Sequence, residues 1–400
     1  MVKMIYVGID LHKTQFTVCV KERSGNTFGK YPTTPEGIAD FLEKVAAWQK
    51  SGKEVRAGVE STGNTRYFRD RLEEAGVKVT VINTLKLKVV TESVKKTDKH
   101  DAATIAEFLE KDMLPEARLC SRESEKLRRL IKPRTTLVRA QVVIKNQIHG
   151  LLTAEGKEDV KGSLQSKKGR QQALNTLNEW ENGLEAQPLV ETIDQLGKCV
   201  KDIEKQLRRI TEEDHVVELL KSIPGCGEIS AWTIRAYVDD IKRFGSAKKF
   251  AAYAGLAPWV QNSNETIHHG KITKRGPEEL RTALVQVVMG MRRMKAMTQS
   301  WRLMQRYIAM KKSKGSGRAI IATARKIAVI IWHMLTEDVE FDIGMMIDEK
   351  LTRKSEAMNN AARLVEEAAY AKIDHPVLKK GIDKGSRKPG VARKGKKKVG

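Results

Sequence analysis

At 400 residues the chain exceeds the size at which one hydrophobic core usually stops growing, so two or three domains are expected. Lys and Arg outnumber Asp and Glu by 74 to 50, a net charge of +24, which makes a polyanion, nucleic acid first, the expected partner. Aromatic residues at 5% argue against base stacking as the main recognition device, and Cys19, Cys120, Cys199 and Cys226 form no Cys-x-x-Cys pair that would hold zinc or suggest a disulfide framework.

Residues 5–10 read as a short strand ending on an acid, residues 16–20 repeat the strand signal, and Asn26-Thr27 marks a turn after a hairpin. Pro35 opens a helix with Ile38, Phe41, Leu42 and Val45 at helical spacing, and residues 55–60 return to a strand that again ends on an acid. A helix over 66–75, closed by Gly76, leads to a strand over 77–82. Strands first in a meander and then alternating with helices predict a mixed α/β, ribonuclease-H-like first domain over 1–120.

Long helix follows. Leu127, Leu130, Leu137, Ile144, Ile148 and Leu151 form a three-four repeat with polar Arg134 and Gln141 at seam positions. Leu189, Ile193, Leu196, Val200, Ile203, Leu207 and Ile210 form a second, heptad seam after the polar stretch 153–187. The two seams either fold back on each other or pair between subunits, so 121–215 reads as a coiled-coil linker or oligomerisation region. A mostly α domain is expected over 216–340, followed over 341–400 by a helical extension and a Lys/Arg-rich tail with too little apolar material to fold alone. The most apolar stretch, 319–335, is interrupted by Arg325 and Lys326, and Asp10 falls where a signal peptide would be apolar. A cytoplasmic protein without a membrane span is expected.

Four carboxylates stand out by position: Asp10 and Glu60 at strand ends, and Asp98 and Asp101 on one face of a helix in Thr97-Asp98-Lys99-His100-Asp101-Ala102. Like charges brought together are costly unless cations sit among them, and hard oxygen ligands suit magnesium or manganese. Taken alone, Asp98 reads equally well as a helix N-cap. His12, Lys13 and His100 lie beside these acids and are read as orienting or contacting substrate. Ser222 to Ala231 includes Pro224-Gly225-Cys226-Gly227, which resembles the hairpin of a helix-hairpin-helix motif, with Gly225 and Gly227 letting backbone N–H groups approach a phosphate; the alternative is a plain interhelical turn. Lys271, Lys274, Arg275 and Arg281 flank a polar loop suited to gripping phosphates. Ser263 lies in that loop and, on its own, reads as a turn former.

Taken together, Gly8-Ile9-Asp10-Leu11-His12-Lys13, Val59-Glu60-Ser61-Thr62-Gly63-Asn64, Thr97-Asp98-Lys99-His100-Asp101-Ala102, Tyr253-Ala254-Gly255-Leu256-Ala257-Pro258 and Lys271-Ile272-Thr273-Lys274-Arg275-Gly276 resemble the DEDD insertion-sequence transposases guided by a bridge RNA. That resemblance implies a RuvC-like domain in which Asp10, Glu60, Asp98 and Asp101 hold magnesium, and a nucleophilic Ser263 that becomes joined to DNA. It also implies a structured noncoding guide RNA pairing with donor and target DNA, and a dimer or tetramer whose composite site draws on different subunits. Where the family has a glycine shortly after the serine, this chain reads Ser263-Asn264-Glu265, and Asn tolerates the left-handed backbone better than most residues. The expected function is an RNA-guided recombinase that excises and inserts its own element. The rivals are a ribonuclease-H-like junction resolvase and a non-catalytic nucleic-acid-binding protein.

Overall fold

The computed structural model describes residues 3–84, 86–87, 97–156, 163–178, 183–263, 266–298 and 300–344. The expected extension and tail from residue 345 onward lie outside them. The chain divides into two compact units, Met1–Ser121 and Arg122–Gly400.

The first unit is built on a five-stranded sheet in the order β3-β2-β1-β4-β5, with strands β1 (Lys3–Leu11), β2 (Gln15–Glu22), β3 (Gly25–Pro32), β4 (Lys53–Glu60) and β5 (Lys78–Ile82). The first three strands form an antiparallel meander, and β4 and β5 continue parallel to β1. Because side chains alternate along a strand, Ile5, Val7 and Ile9 of β1 and Val55, Ala57 and Val59 of β4 enter one core with Ile38, Phe41 and Val45 of α1 (Pro35–Lys50) and Phe68 and Leu72 of α2 (Thr65–Glu74). The opposite face carries α3 (Asp98–Glu110), whose Ala102 and Ala106 pack on Cys19. The strand β3 departs from the sequence reading, which has a turn at Asn26-Thr27. Its two glycines and largely exposed residues mask the strand pattern, and the actual turn is three residues earlier, at Arg23-Ser24, where Glu22 pairs with Gly25.

In the second unit the seams pack on each other within one chain, as α4 (Arg122–Ala154) and α6 (Gly183–Ile210). The polar seam residues fix the register: Arg134 Nε donates to Glu204 Oε1 at 2.8 Å and Gln141 Nε2 donates to the Ile193 carbonyl at 3.1 Å. The stretch between the seams is not merely polar. It carries α5 (Lys167–Asn178), whose Ala173, Leu174 and Leu177 are buried with Ile148, Leu152, Val190 and Ile193.

Leu127, Ile131 and Leu207, near the other end of the α4–α6 pair, belong to the main core of this unit. That core also takes residues from α7 (His215–Lys221), α8 (Glu228–Val238), α9 (Ala247–Tyr253), α10 (Glu278–Arg293), α12 (Arg302–Lys314) and α13 (Ser316–Glu337); the short α11 (Lys295–Thr298) joins α10 to α12. By length and composition α13 is apolar enough to cross a membrane, but its Ala319, Ala324, Ile327, Ala328 and Ile331 are core residues, which accounts for its apolarity. The polar loop read around Ser263 is a two-stranded hairpin, β6 (Pro258–Ser263) and β7 (Thr266–Ile272).

Candidate metal and nucleic-acid site

The parallel register of β1 and β4 pairs Gly8 with Gly58 and Ile9 with Val59, so Asp10 and Glu60 follow side by side at the neighbouring ends of the two strands. Gly8 is what lets α3 lie over them. A Cβ there would stand 2.0 Å from the Ala102 carbonyl oxygen and 2.5 Å from the Ala106 nitrogen, closer than any side chain permits. At Gly58 a Cβ would stand 2.8 Å from Ile105 Cγ2. Two residues beyond each glycine, and so on the same face, come the acids. The repeated spacing Gly8-Ile9-Asp10 and Gly58-Val59-Glu60 is the sequence signal for this arrangement.

Helix α3 buries Ala102, Ile105, Ala106 and Leu109. Thr97, rather than Asp98, is its N-cap, with the hydroxyl oxygen accepting from the His100 amide at 3.2 Å. Asp98 and Asp101 are thereby left in the first turn with their carboxylates free of capping. Behind β4, the Thr65 hydroxyl donates to the Glu60 carbonyl at 2.9 Å and accepts from the Thr62 amide at 2.6 Å, and Asn64 Nδ2 donates to the His12 carbonyl at 3.4 Å. These bonds tie the loop after Glu60 to the turn after Asp10.

Asp10 is 2% exposed, while Glu60, Asp98 and Asp101 are less deeply buried. His12 Nε2 lies 3.1 Å from Asp10 Oδ2 and 3.8 Å from Asp98 Oδ1, and ligand atoms of these three residues all fall within 4.8 Å of one another. Burial, opposed by His12 and reinforced by Glu60, Asp98 and Asp101, pushes the Asp10 carboxyl up to about 6. All three other acids therefore act on Asp10, with Glu60 and Asp101 outside the tightest group. A buried carboxylate among three more acids, with one imidazole as counterweight, is a donor set that fits a hard divalent cation. His12 faces the acids, and Lys13 and His100 are exposed beside them.

In the second unit, Ser263 ends β6 in register with Thr266 at the tip of the hairpin; residues 264 and 265, where the family glycine would fall, lie outside the described residues. Lys271, Lys274 and Arg275 are exposed after it. Arg281 is turned inward instead: its Nη1 donates to the Lys274 carbonyl at 3.3 Å and to the Ala254 carbonyl at 3.5 Å. A Cβ at Gly276 would stand 1.9 Å from the Tyr253 carbonyl oxygen, so the two sequence motifs 253–258 and 271–276 are packed backbone to backbone. Gly225, at φ +85°, is likewise used inside the protein, where a Cβ would meet the Met291 nitrogen at 2.5 Å. Gly227 caps α8 with open space around it. The four cysteines are free.

Two family models match this chain: a DEDD transposase model of the IS110 type over residues 7–155, and the model described as transposase IS116/IS110/IS902 family over residues 217–302. Among similar proteins, the transposase for insertion sequence element IS1111A of Coxiella burnetii is 26% identical, covering 84% of this chain and 91% of its own length. The transposase for insertion sequence element IS1328 of Yersinia enterocolitica is 26% identical over 84% of this chain and 98% of its own. A pilin gene-inverting protein of Moraxella bovis is 25% identical over 84% and 97%.

Proposed function

We propose, from an IS110-type DEDD transposase domain followed by an IS116/IS110/IS902-family transposase domain and the DNA-recombining activity they imply, that this chain is an RNA-guided recombinase that excises and inserts a mobile element. The observation that carries the reading is the placement of buried Asp10 beside Glu60 at the neighbouring ends of β1 and β4, with ligand atoms of His12 and Asp98 within 4.8 Å of its carboxylate.

In this reading Asp10, Glu60, Asp98 and Asp101 hold magnesium or manganese. When bound, such cations polarise the phosphate and stabilise charge on the attacking and departing oxygens. His12 orients the Asp10 and Asp98 carboxylates, and Lys13 meets substrate beside them. Ser263 supplies the nucleophile: its oxygen bonds to phosphorus, its proton is lost, and a sugar oxygen departs as a hydroxyl, leaving protein joined to one DNA end. Reversal by another strand's hydroxyl rejoins the DNA. In the same reading, different subunits of a dimer or tetramer contribute the acids and Ser263. Lys271, Lys274 and Arg275 grip phosphates, and the open N-terminus of α8 at Gly227 offers N–H groups to another. Arg281 and Gly225 act within the protein, holding those elements in shape. The excess of 24 positive charges supports a second polyanion, a structured guide RNA that pairs with donor and target DNA while the protein holds backbone.

The test is a denaturing gel of the full chain incubated with magnesium, a plasmid bearing its gene with the flanking DNA, and RNA transcribed from those flanks. A DNA–protein adduct is expected, absent from Ser263→Ala and from Asp10→Asn. Free ends without an adduct would support the junction-resolvase reading, and cutting indifferent to Asp10→Ala would remove the acids from the chemistry.

A further inference from the structure

The sheet face that carries Asp10 does not end at β1. Asp10 pairs with Thr17 on β2, and Thr17 pairs with Lys30 on β3, so the three form a cross-strand row on one face, Lys30 about 10 Å from Asp10 at a strand spacing of about 4.8 Å. Phe28, two residues from Lys30, shares that face. Helix α3 packs over β1 and β2, and beyond its first turn the face opens into a groove of about 680 Å³ lined by Thr17, Phe28, Lys30, Asp98 and Lys99.

Three features of this groove are unexplained by folding. Phe28 is 45% exposed, an aromatic ring left in water on an edge strand. Lys99 Nζ stands 5.9 Å from the centre of that ring. Thr17 is 3% exposed, yet its hydroxyl, at the inner wall, has no hydrogen-bond partner among the described residues. A ring flanked by two exposed lysines, in a groove opening directly onto an acidic cluster, matches one chemistry: an unpaired nucleotide with its phosphates.

We propose that this groove seats the DNA strand adjoining the bond to be cut, with one base stacked on Phe28 and with Lys30 and Lys99 on neighbouring phosphates. The inference rests on the acids being the cutting site, since their adjacency selects the cut strand as the occupant. A ring reads no sequence, because every base has a stacking face. The groove therefore fixes where the strand lies and leaves sequence choice elsewhere. Phe28 and Lys30 hold the flank in line, so the phosphate beyond them falls at Asp10.

The probe is short single-stranded DNA of mixed sequence carrying 5-iododeoxyuridine, bound to the full chain in calcium and irradiated, with crosslinked peptides read by mass spectrometry. Crosslinks are expected in the tryptic peptide spanning residues 24–30. Phe28→Ala should abolish them and weaken binding of the same DNA at least about 5-fold, the lower end of what loss of one stacked base gives. Phe28→Trp should retain both. As Phe28 is exposed, an unchanged melting temperature is expected for either variant. Crosslinks confined to other peptides, equal loss in the Ala and Trp variants, or crosslinking at Phe28 by the equivalent RNA but not by DNA would each overturn the proposal. Cutting unaffected by Asp10→Asn, together with crosslinks at Phe28, would overturn the acid-site reading and with it the cut strand as occupant, leaving a groove that binds single-stranded DNA away from the cut.

Discussion

A carboxylate that is 2% exposed and faces three others releases its proton late, and Asp10 is accordingly pushed up to about 6 from an ordinary 3.8. Because the folded form holds this proton more tightly than the unfolded chain, the contribution of Asp10 to stability is greatest below about pH 4, falls between about 4 and 6, and stays lowered above. At neutral pH the metal-free protein thus carries a penalty of roughly 3 kcal/mol at this residue. Asp10→Asn should raise the melting temperature in chelator at neutral pH, with the difference fading below about pH 4, while abolishing activity; calorimetry across pH, beside the adduct assay, checks both. In the second unit, the contrast between inward Arg281 and outward Lys274 and Arg275 predicts different failures. Arg281→Ala should lower stability by roughly 1–2 kcal/mol through its two lost carbonyl bonds. Lys274→Ala or Arg275→Ala should leave stability alone and reduce the slope of log affinity against log salt by about 1 each, measured by DNA binding at several ionic strengths.

Helix α3 depends on a missing side chain beneath it. Gly8→Ala must push back the Ala102 and Ala106 backbone, which should cost about 1–3 kcal/mol and carry Asp98 and Asp101 away from Asp10. The check is thermal melting together with manganese affinity, and unchanged stability and affinity in the Gly8→Ala variant would show that the helix is held by other means. The acids themselves are legible in the sequence because each ends a strand or opens a helix whose pattern is strong. The strand β3 is not: largely exposed, with glycines at Gly25 and Gly29, it lacks the apolar alternation of its neighbours. The hairpin of β6 and β7 reads as a loop for a similar reason, since Gln261, Asn262, Ser263, His268 and His269 supply no apolar pattern. In the sequence Gly225 and Arg281 read as nucleic-acid contacts, because neither a close backbone crossing with Met291 nor a bond to a distant carbonyl leaves any local signature.

At the scale of the whole molecule, charge and motif order point to nucleic-acid recombination without any coordinates, whereas the partner of each apolar seam does not follow from the seams themselves. Heptad spacing is the same whether helices meet within a chain or between chains. Here Arg134–Glu204 and Gln141–Ile193 join α4 to α6 in one chain, so an assembly through this hairpin has to use its other faces. The function proposed for the molecule still reduces to whether its first unit collects divalent cations. Electron paramagnetic resonance titration of manganese into the full chain measures that directly. Saturable binding is predicted for the natural chain, weakened at least about tenfold by each of Asp10→Asn, Glu60→Gln, Asp98→Asn and Asp101→Asn. Binding equally strong in all four variants would contradict the account.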